Sequence, residues 1–208
     1  MHSSRLLVPL ALLAVACAPA SRVASPLAPL PEPPAESPLF PPGETPGDAA
    51  PSKGVDFDAL RARGIMVPVL GVSPSQLVDT YNAPRDKGRR HDALDILAPR
   101  GTAVLAADNG LIVRIGTNTL GGNVIWATDG ERRFAYYYAH LDRYARGLRE
   151  GQVVNRGDVI GYVGTTGNAP PETPHLHFQV MRLLDARRFS DGLPFNPLPF
   201  FSSPGVTR

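Results

Sequence analysis

Short apolar runs broken by turn residues fill the second half of this chain, and they limit what it can fold into. Residues 103–107, 111–115, 123–127, 133–138, 159–163 and 175–181 are such runs. Asp108-Asn109-Gly110 and Asp129-Gly130 punctuate neighbouring runs as turn signals. Strands this short and this regularly interrupted predict an antiparallel β-sheet or sandwich. Leu94-Asp95-Ile96-Leu97 reads as a further strand start after a Gly/Arg-rich loop. Helix signals are few. Residues 56–63 suit a short helix, and Ser73-Pro74 has the form of an N-cap followed by proline at the first helical position, predicting another over 74–78. The expected fold class is mainly β with a few short helices.

Two segments look alike. Pro99-Arg100-Gly101-Thr102-Ala103-Val104 precedes Asn109-Gly110-Leu111-Ile112, and Glu150-Gly151-Gln152-Val153-Val154 precedes Arg156-Gly157-Asp158-Val159-Ile160. Each gives a glycine, a short β-branched step and a glycine turn. Lipoyl and biotinyl carrier domains share this habit, which speaks for fold rather than chemistry.

The first quarter of the chain reads differently. Of the 23 prolines in the whole chain, many lie between Pro19 and Pro51. Residues 1–16 read as an export signal, with Arg5 ahead of an apolar run from Leu6 to Ala16. That run is too short for a stable transmembrane helix, which needs about 20 residues, and it fits a signal-peptide core. Leu13-Ala14-Val15-Ala16-Cys17 resembles a lipobox, in which the signal is cut before a lipid-modified cysteine; the rival is cleavage after Ala18-Pro19-Ala20. Residues 17–54 lack apolar periodicity and predict an extended, semi-rigid tether. The expected organisation is a signal over 1–16, a tether over 17–54 and one domain over 55–208. It places the protein in the cell envelope, lipid-anchored to a membrane through Cys17 and facing the periplasm.

Cys17 is the one cysteine, so no internal disulfide holds the domain. The formal net charge is +2, and the basic pairs 89–90, 132–133 and 187–188 are scattered. No run of like charge calls for a nucleic-acid partner.

The histidines carry the chemical signal. His2 belongs to the export segment, which leaves His91, His140, His175 and His177. His91 and Asp95 form a His-x-x-x-Asp pair. In the run from His175 to Val180, strand alternation puts His175, His177 and Gln179 on one face and Leu176, Phe178 and Val180 on the other. The apolar face suits a core, and the imidazoles then face a cleft. Singly, each motif has a plain explanation: a lone His-x-His is more often a solvated strand face than a metal site, and His140 suits a core position with a backbone partner. Jointly those explanations weaken, because every histidine beyond the export segment is involved. Zinc takes imidazole nitrogen and carboxylate oxygen, and a catalytic site needs three protein ligands and one open position. Four histidines and an aspartate exceed three, and spare imidazoles can exchange protons or stabilise a developing oxyanion.

Three segments in this order, Gly88-Arg89-Arg90-His91-Asp92-Ala93-Leu94-Asp95-Ile96, Tyr138-Ala139-His140-Leu141 and Pro174-His175-Leu176-His177-Phe178, resemble the lysostaphin/LytM-type zinc endopeptidases. Residues 150–161 and Gly164-Thr165-Thr166-Gly167 extend the resemblance to about 65–182. It implies a duplicated-hybrid-like antiparallel sheet with a groove. It implies that His91, Asp95 and His177 hold Zn2+, that His140 and His175 form the catalytic pair, and that the substrate is a peptide stem or cross-link of peptidoglycan. Ala93 stands where the family often has glycine, and the loop over 168–174 is longer and richer in proline than the common form. Of Tyr136, Tyr137 and Tyr138, alternation sends 136 and 138 to one face and 137 to the other; core packing is the expected role, with one candidate for the groove. Asn82 is a weaker candidate from the loop before His91.

Two other readings compete. LytM-like regulators without their ligands activate cell-wall amidases and make a protein partner expected; here the ligands are present and no heptad precedes the domain. A carrier domain needs a lysine at a hairpin tip, and neither Lys53 nor Lys87 lies in one.

Overall fold

The computed structural model describes residues 55–84 and 90–202. The export segment, Cys17, the tether, Gly88 and Arg89 of the first motif, and the tail from 203 lie outside the described residues. A helix, α1 (Val55–Arg63), leads into nine strands: β1 (Leu94–Leu97), β2 (Ala103–Leu105), β3 (Gly110–Asn118), β4 (Gly122–Asp129), β5 (Phe134–Tyr144), β6 (Val153–Val154), β7 (Val159–Val163), β8 (His175–Leu183) and β9 (Gly192–Phe195). All pair antiparallel within one branched sheet, in the order β1-β8-β5-β4-β3-β6, with β7 joining β5 to β2 and β9 flanking β8. The mainly-β class expected from the punctuated runs therefore holds.

The two look-alike segments pair with each other. β2 runs against β7, and the start of β3 runs against β6. Turn amides bind across the same seam, Ala106 N–H to Asp158 O at 2.9 Å and Gly157 N–H to Ala106 O at 2.9 Å. Each segment thus supplies the hydrogen-bonding edge that the other lacks.

β5 is the hinge of the topology. Its first part, Phe134 to Ala139, pairs with β8, and its far end, Leu141 to Tyr144, pairs with β7. The change of partner falls at His140, whose φ is +60°. The register against β4 shifts at the same place, between Asn123 and Ile125. A bulge of this kind turns consecutive side chains away from strict alternation.

One face of the sheet packs the core. Leu94, Ile96, Ile125, Tyr136, Tyr138, Leu176, Phe178 and Val180 are all buried there. Burying side chains of this size contributes roughly 1.5–3 kcal/mol each. The tyrosines bury their rings and satisfy their hydroxyls: Tyr138 accepts from Ala107 N–H at 3.0 Å, and Tyr136 donates to Asp108 Oδ2 at 2.7 Å. Asp108 also accepts from Arg63 Nε at 2.9 Å and Arg156 Nη2 at 3.2 Å. Arg63 reaches on to Asp129 at 3.1 Å, so the end of α1 is clamped to two sheet turns. Breaking such a buried network from one side leaves charges unpaired. Asp108→Ala is expected to destabilise the domain by about 3–5 kcal/mol in urea unfolding; a loss under about 1 kcal/mol would show the clamp to be dispensable.

Candidate active site

The face opposite the core carries the site. Directly paired residues share a face, and the register sets Asp95 opposite His177 and His177 opposite Ala139. Alternation then brings Tyr137 and Leu97 to the same side. The alternation read from the sequence of β8 is borne out: Leu176, Phe178 and Val180 are fully buried, whereas His177 and Gln179 are only partly buried and His175, though buried, lines the groove.

His91 enters from the loop before β1. Asp92, the next residue, has φ +53°, and its N–H donates to Tyr81 O at 2.9 Å. This kink, backed by Gln179 Nε2 on Asp92 O at 3.1 Å, tips the His91 ring over β1 and β8. His91 Nε2 lies 2.9 Å from Asp95 Oδ1 and 3.0 Å from His177 Nδ1, and His177 Nδ1 lies 3.1 Å from Asp95 Oδ1. His175 Nε2 stands 3.7 Å from the same carboxylate oxygen. The rings of His140 and His175 are 4.9 Å apart, and His140 is 5.7 Å from His177. All five residues singled out in the sequence therefore meet in one groove of about 480 Å³.

Backbone carbonyls fix the tautomers. A carbonyl only accepts, so each of three rings donates its Nδ1–H: His91 to Thr80 O, His140 to Thr166 O and His175 to Thr173 O, each at 2.8 Å. The neutral ring then keeps its lone pair at Nε2. For His91 that lone pair faces His177 Nδ1 and Asp95 Oδ1. Three electron-rich atoms at this spacing repel one another unless a proton or cation lies between them. Tetrahedral zinc with bonds of about 2.0–2.1 Å would hold its donors about 3.3 Å apart, close to the spacing found. Two imidazoles and a carboxylate also suit zinc chemically.

Electrostatics agree. Burial pushes the Asp95 carboxyl up, but its bonds to His177 and His91 outweigh burial and hold it well below the usual carboxylate range. Burial lowers His177, despite the opposing pull of Asp95. His140 is pushed down to about 4, chiefly by burial, so it is a neutral acceptor at neutral pH.

The loop that holds His140 depends on a close backbone crossing. Gly122 and Gly167 have φ of +63° and +75°, and a Cβ on either would collide with the other's backbone. The crossing presents Thr166 O to the His140 ring and Gly121 O to its N–H, at 2.7 Å.

One contributor escaped the sequence reading. Thr80 gives its carbonyl to the His91 ring, and its Oγ1 accepts from Asp95 N–H at 2.9 Å, so one residue orients two of the three candidate ligands. Its only signal was position, in the loop before His91. Tyr137 is the tyrosine that lines the groove, edge-on to His177 at 6.1 Å, with its hydroxyl accepting from Asn118 Nδ2 at 3.1 Å. Asn82 does not line the groove; its side chain accepts from Arg90. Thr80→Val, which removes the hydroxyl but keeps the shape, is expected to weaken zinc affinity about 10- to 100-fold. Competition titration against a chromogenic chelator reads this, and unchanged affinity would remove Thr80 from the site.

An antiparallel sheet with three converging metal donors and two flanking imidazoles on one face defines a metallohydrolase-type centre. Residues 89–197, just over half of the chain, match the family described as peptidase family M23. The chain belongs to that family, which bears out the resemblance read from the motifs. It is 40% identical over 97 residues to the L-Ala–D-Glu endopeptidase of Bacillus subtilis (strain 168), covering 44% of this chain and 29% of that protein. It is 31% identical over 93 residues to the peptidoglycan DD-endopeptidase ShyC of Vibrio cholerae serotype O1, covering 45% and 20%. The chain thus spans less than a third of the length of these curated relatives. Among solved structures, Helicobacter pylori Csd3 matches with a TM-score of 0.52 at 26% identity, over 67% of this chain and 35% of that one. A zinc-containing peptidase from Vibrio cholerae matches with a TM-score of 0.50 at 27% identity, over 64% and 41%.

Proposed function

We propose that this chain is a zinc-dependent endopeptidase that hydrolyses peptide bonds in the stems or cross-links of peptidoglycan. His91, Asp95 and His177 hold the metal, and His140 and His175 move the protons. The observation that carries this reading is the convergence of His91 Nε2, Asp95 Oδ1 and His177 Nδ1 within 3.1 Å of one another, beside two uncommitted Nε2 lone pairs. Membership of a peptidase family whose named relatives cut peptidoglycan supports the substrate. A regulator that only activates an amidase has no use for these five groups, so that alternative is not favoured.

Zinc, when bound, lowers the pKa of a coordinated water and polarises the scissile carbonyl. The protein's own groups do the rest. His140 and His175 present Nε2 lone pairs to the groove, held there by their Nδ1–H bonds to backbone carbonyls. Either can accept a proton from the attacking water. Its Nε2–H can then stabilise the oxyanion or pass the proton to the leaving amine.

We further propose that Cys17 is lipidated and that residues 17–54 tether the domain beside the wall polymer in the periplasm. The test of the activity is a digest of cross-linked muropeptides read by mass spectrometry. Cleavage is expected with zinc, absent with chelator, and restored by one equivalent of zinc. A zinc-loaded protein that leaves every muropeptide intact would overturn the reading.

A further inference from the structure

Among the described residues the groove carries one charge that the chemistry above does not use. Among the described residues lining it, Arg90 is the one lysine or arginine and Asp95 the one carboxylate. Asp95 is committed to the ligand cluster. Arg90 is exposed, and its guanidinium donates to a neutral partner, the side-chain oxygen of Asn82. Among the described residues no carboxylate forms an ion pair with it. Asp92 is near enough for both charges to act on the Tyr81 phenol, which burial and Asp92 raise and Arg90 lowers. Apart from the histidines, the other lining side chains, Tyr137, Asn118, Leu97 and Leu120 among them, are uncharged.

The backbone of Arg90 is held in place. It bridges Pro84, and the following residue, His91, donates its N–H to Ala83 O at 3.1 Å. The guanidinium is therefore tethered one residue from a metal ligand, on the wall of the groove where a peptide would lie. A planar guanidinium prefers a carboxylate, which it can grip with two bonds, over a neutral amide oxygen.

We propose that Arg90 is a specificity-determining residue that takes a carboxylate of an anionic peptide beside the scissile bond, releasing Asn82 as it does so. The inference rests on the endopeptidase reading for its substrate, but it can be tested by binding alone. The probes are two fluorescently labelled, cross-linked stem peptides, identical except that the free carboxylates of one are amidated in the other. Dissociation constants come from anisotropy in the first seconds after mixing with the zinc-loaded full chain, and kcat/KM from product mass.

The free-carboxylate peptide should bind the wild-type chain about 10- to 100-fold more tightly than the amidated one, the range for a hydrogen bond to a charged group. Arg90→Gln should abolish that preference by weakening only the carboxylate peptide, with zinc content unchanged. Arg90→Lys, which keeps the charge and loses the fork, should retain part of it. A wild-type chain that binds both peptides equally, or an Arg90→Gln variant that keeps the preference or weakens both peptides alike, would overturn the proposal. If the predicted binding pattern appears but neither peptide is cut, the endopeptidase reading fails and the role of Arg90 stands.

Discussion

His177→Ala is expected to empty the metal centre and abolish peptidase activity while leaving the sheet intact. His177 Nδ1 is one of three groups placed to hold a metal, and without it two remain, one imidazole and one carboxylate. Loss of a mere supporting partner costs about 10- to 100-fold in metal affinity, and loss of a ligand itself should exceed that. Zinc measured by atomic absorption on dialysed protein should fall from about one equivalent to below about a tenth, and hydrolysis should follow it down. The fold should survive, because His177 stands on the groove face of β8, while Leu176, Phe178 and Val180 hold the other face in the core. The result that would sink the assignment is a variant that keeps stoichiometric zinc.

What was legible in the sequence followed from periodicity. β8 reads directly from His175-Leu176-His177-Phe178-Gln179-Val180, because a strand buried on one side must alternate, and its two faces emerged as expected. The punctuated runs located β2, β3, β4 and β7 through their apolar content and the turn residues that bound them. β6 and β9 did not show, since each is short and held by its neighbours rather than by its own apolar pattern. The helix expected over 74–78 is a single 3-10 turn, Pro74–Gln76, ended by Leu77 in an extended conformation. The exchange of the two look-alike segments was hidden, because sequence similarity does not say which edges pair. Thr80 was hidden because it works partly through a backbone carbonyl, which every residue has.

His140 shows where alternation fails for a functional reason. In a regular strand it would fall on the side of Tyr136 and Tyr138, in the core, which is the plain explanation of that motif taken alone and not the catalytic role the resemblance implies. The bulge and the left-handed backbone at His140 instead let Ala139 and His140 both line the groove. A non-glycine residue held there costs of order 1–3 kcal/mol and persists only where its surroundings fix it. The fixing contacts are Gly121 O on its N–H, Thr166 O on its Nδ1–H and the glycine crossing behind them.

That geometry gives the second large effect. His140→Ala should lower kcat about 10²- to 10⁴-fold, the range for removing a positioned general acid or base, while zinc stays bound and KM changes little. Zinc should stay because His140 is held by Thr166 O and Gly121 O and not by the proposed ligands His91, Asp95 and His177. KM should hold because the other side chains lining the groove are untouched and a proton-transfer group alone is gone. The measurement is a kinetic split on one muropeptide, with zinc assayed on the same preparation. A fall in zinc matching the fall in rate would make His140 a ligand or its prop. A rise in KM with kcat preserved would make it a binding group. Only the loss of kcat with metal retained fits a residue whose backbone is strained for the sake of where its Nε2 points.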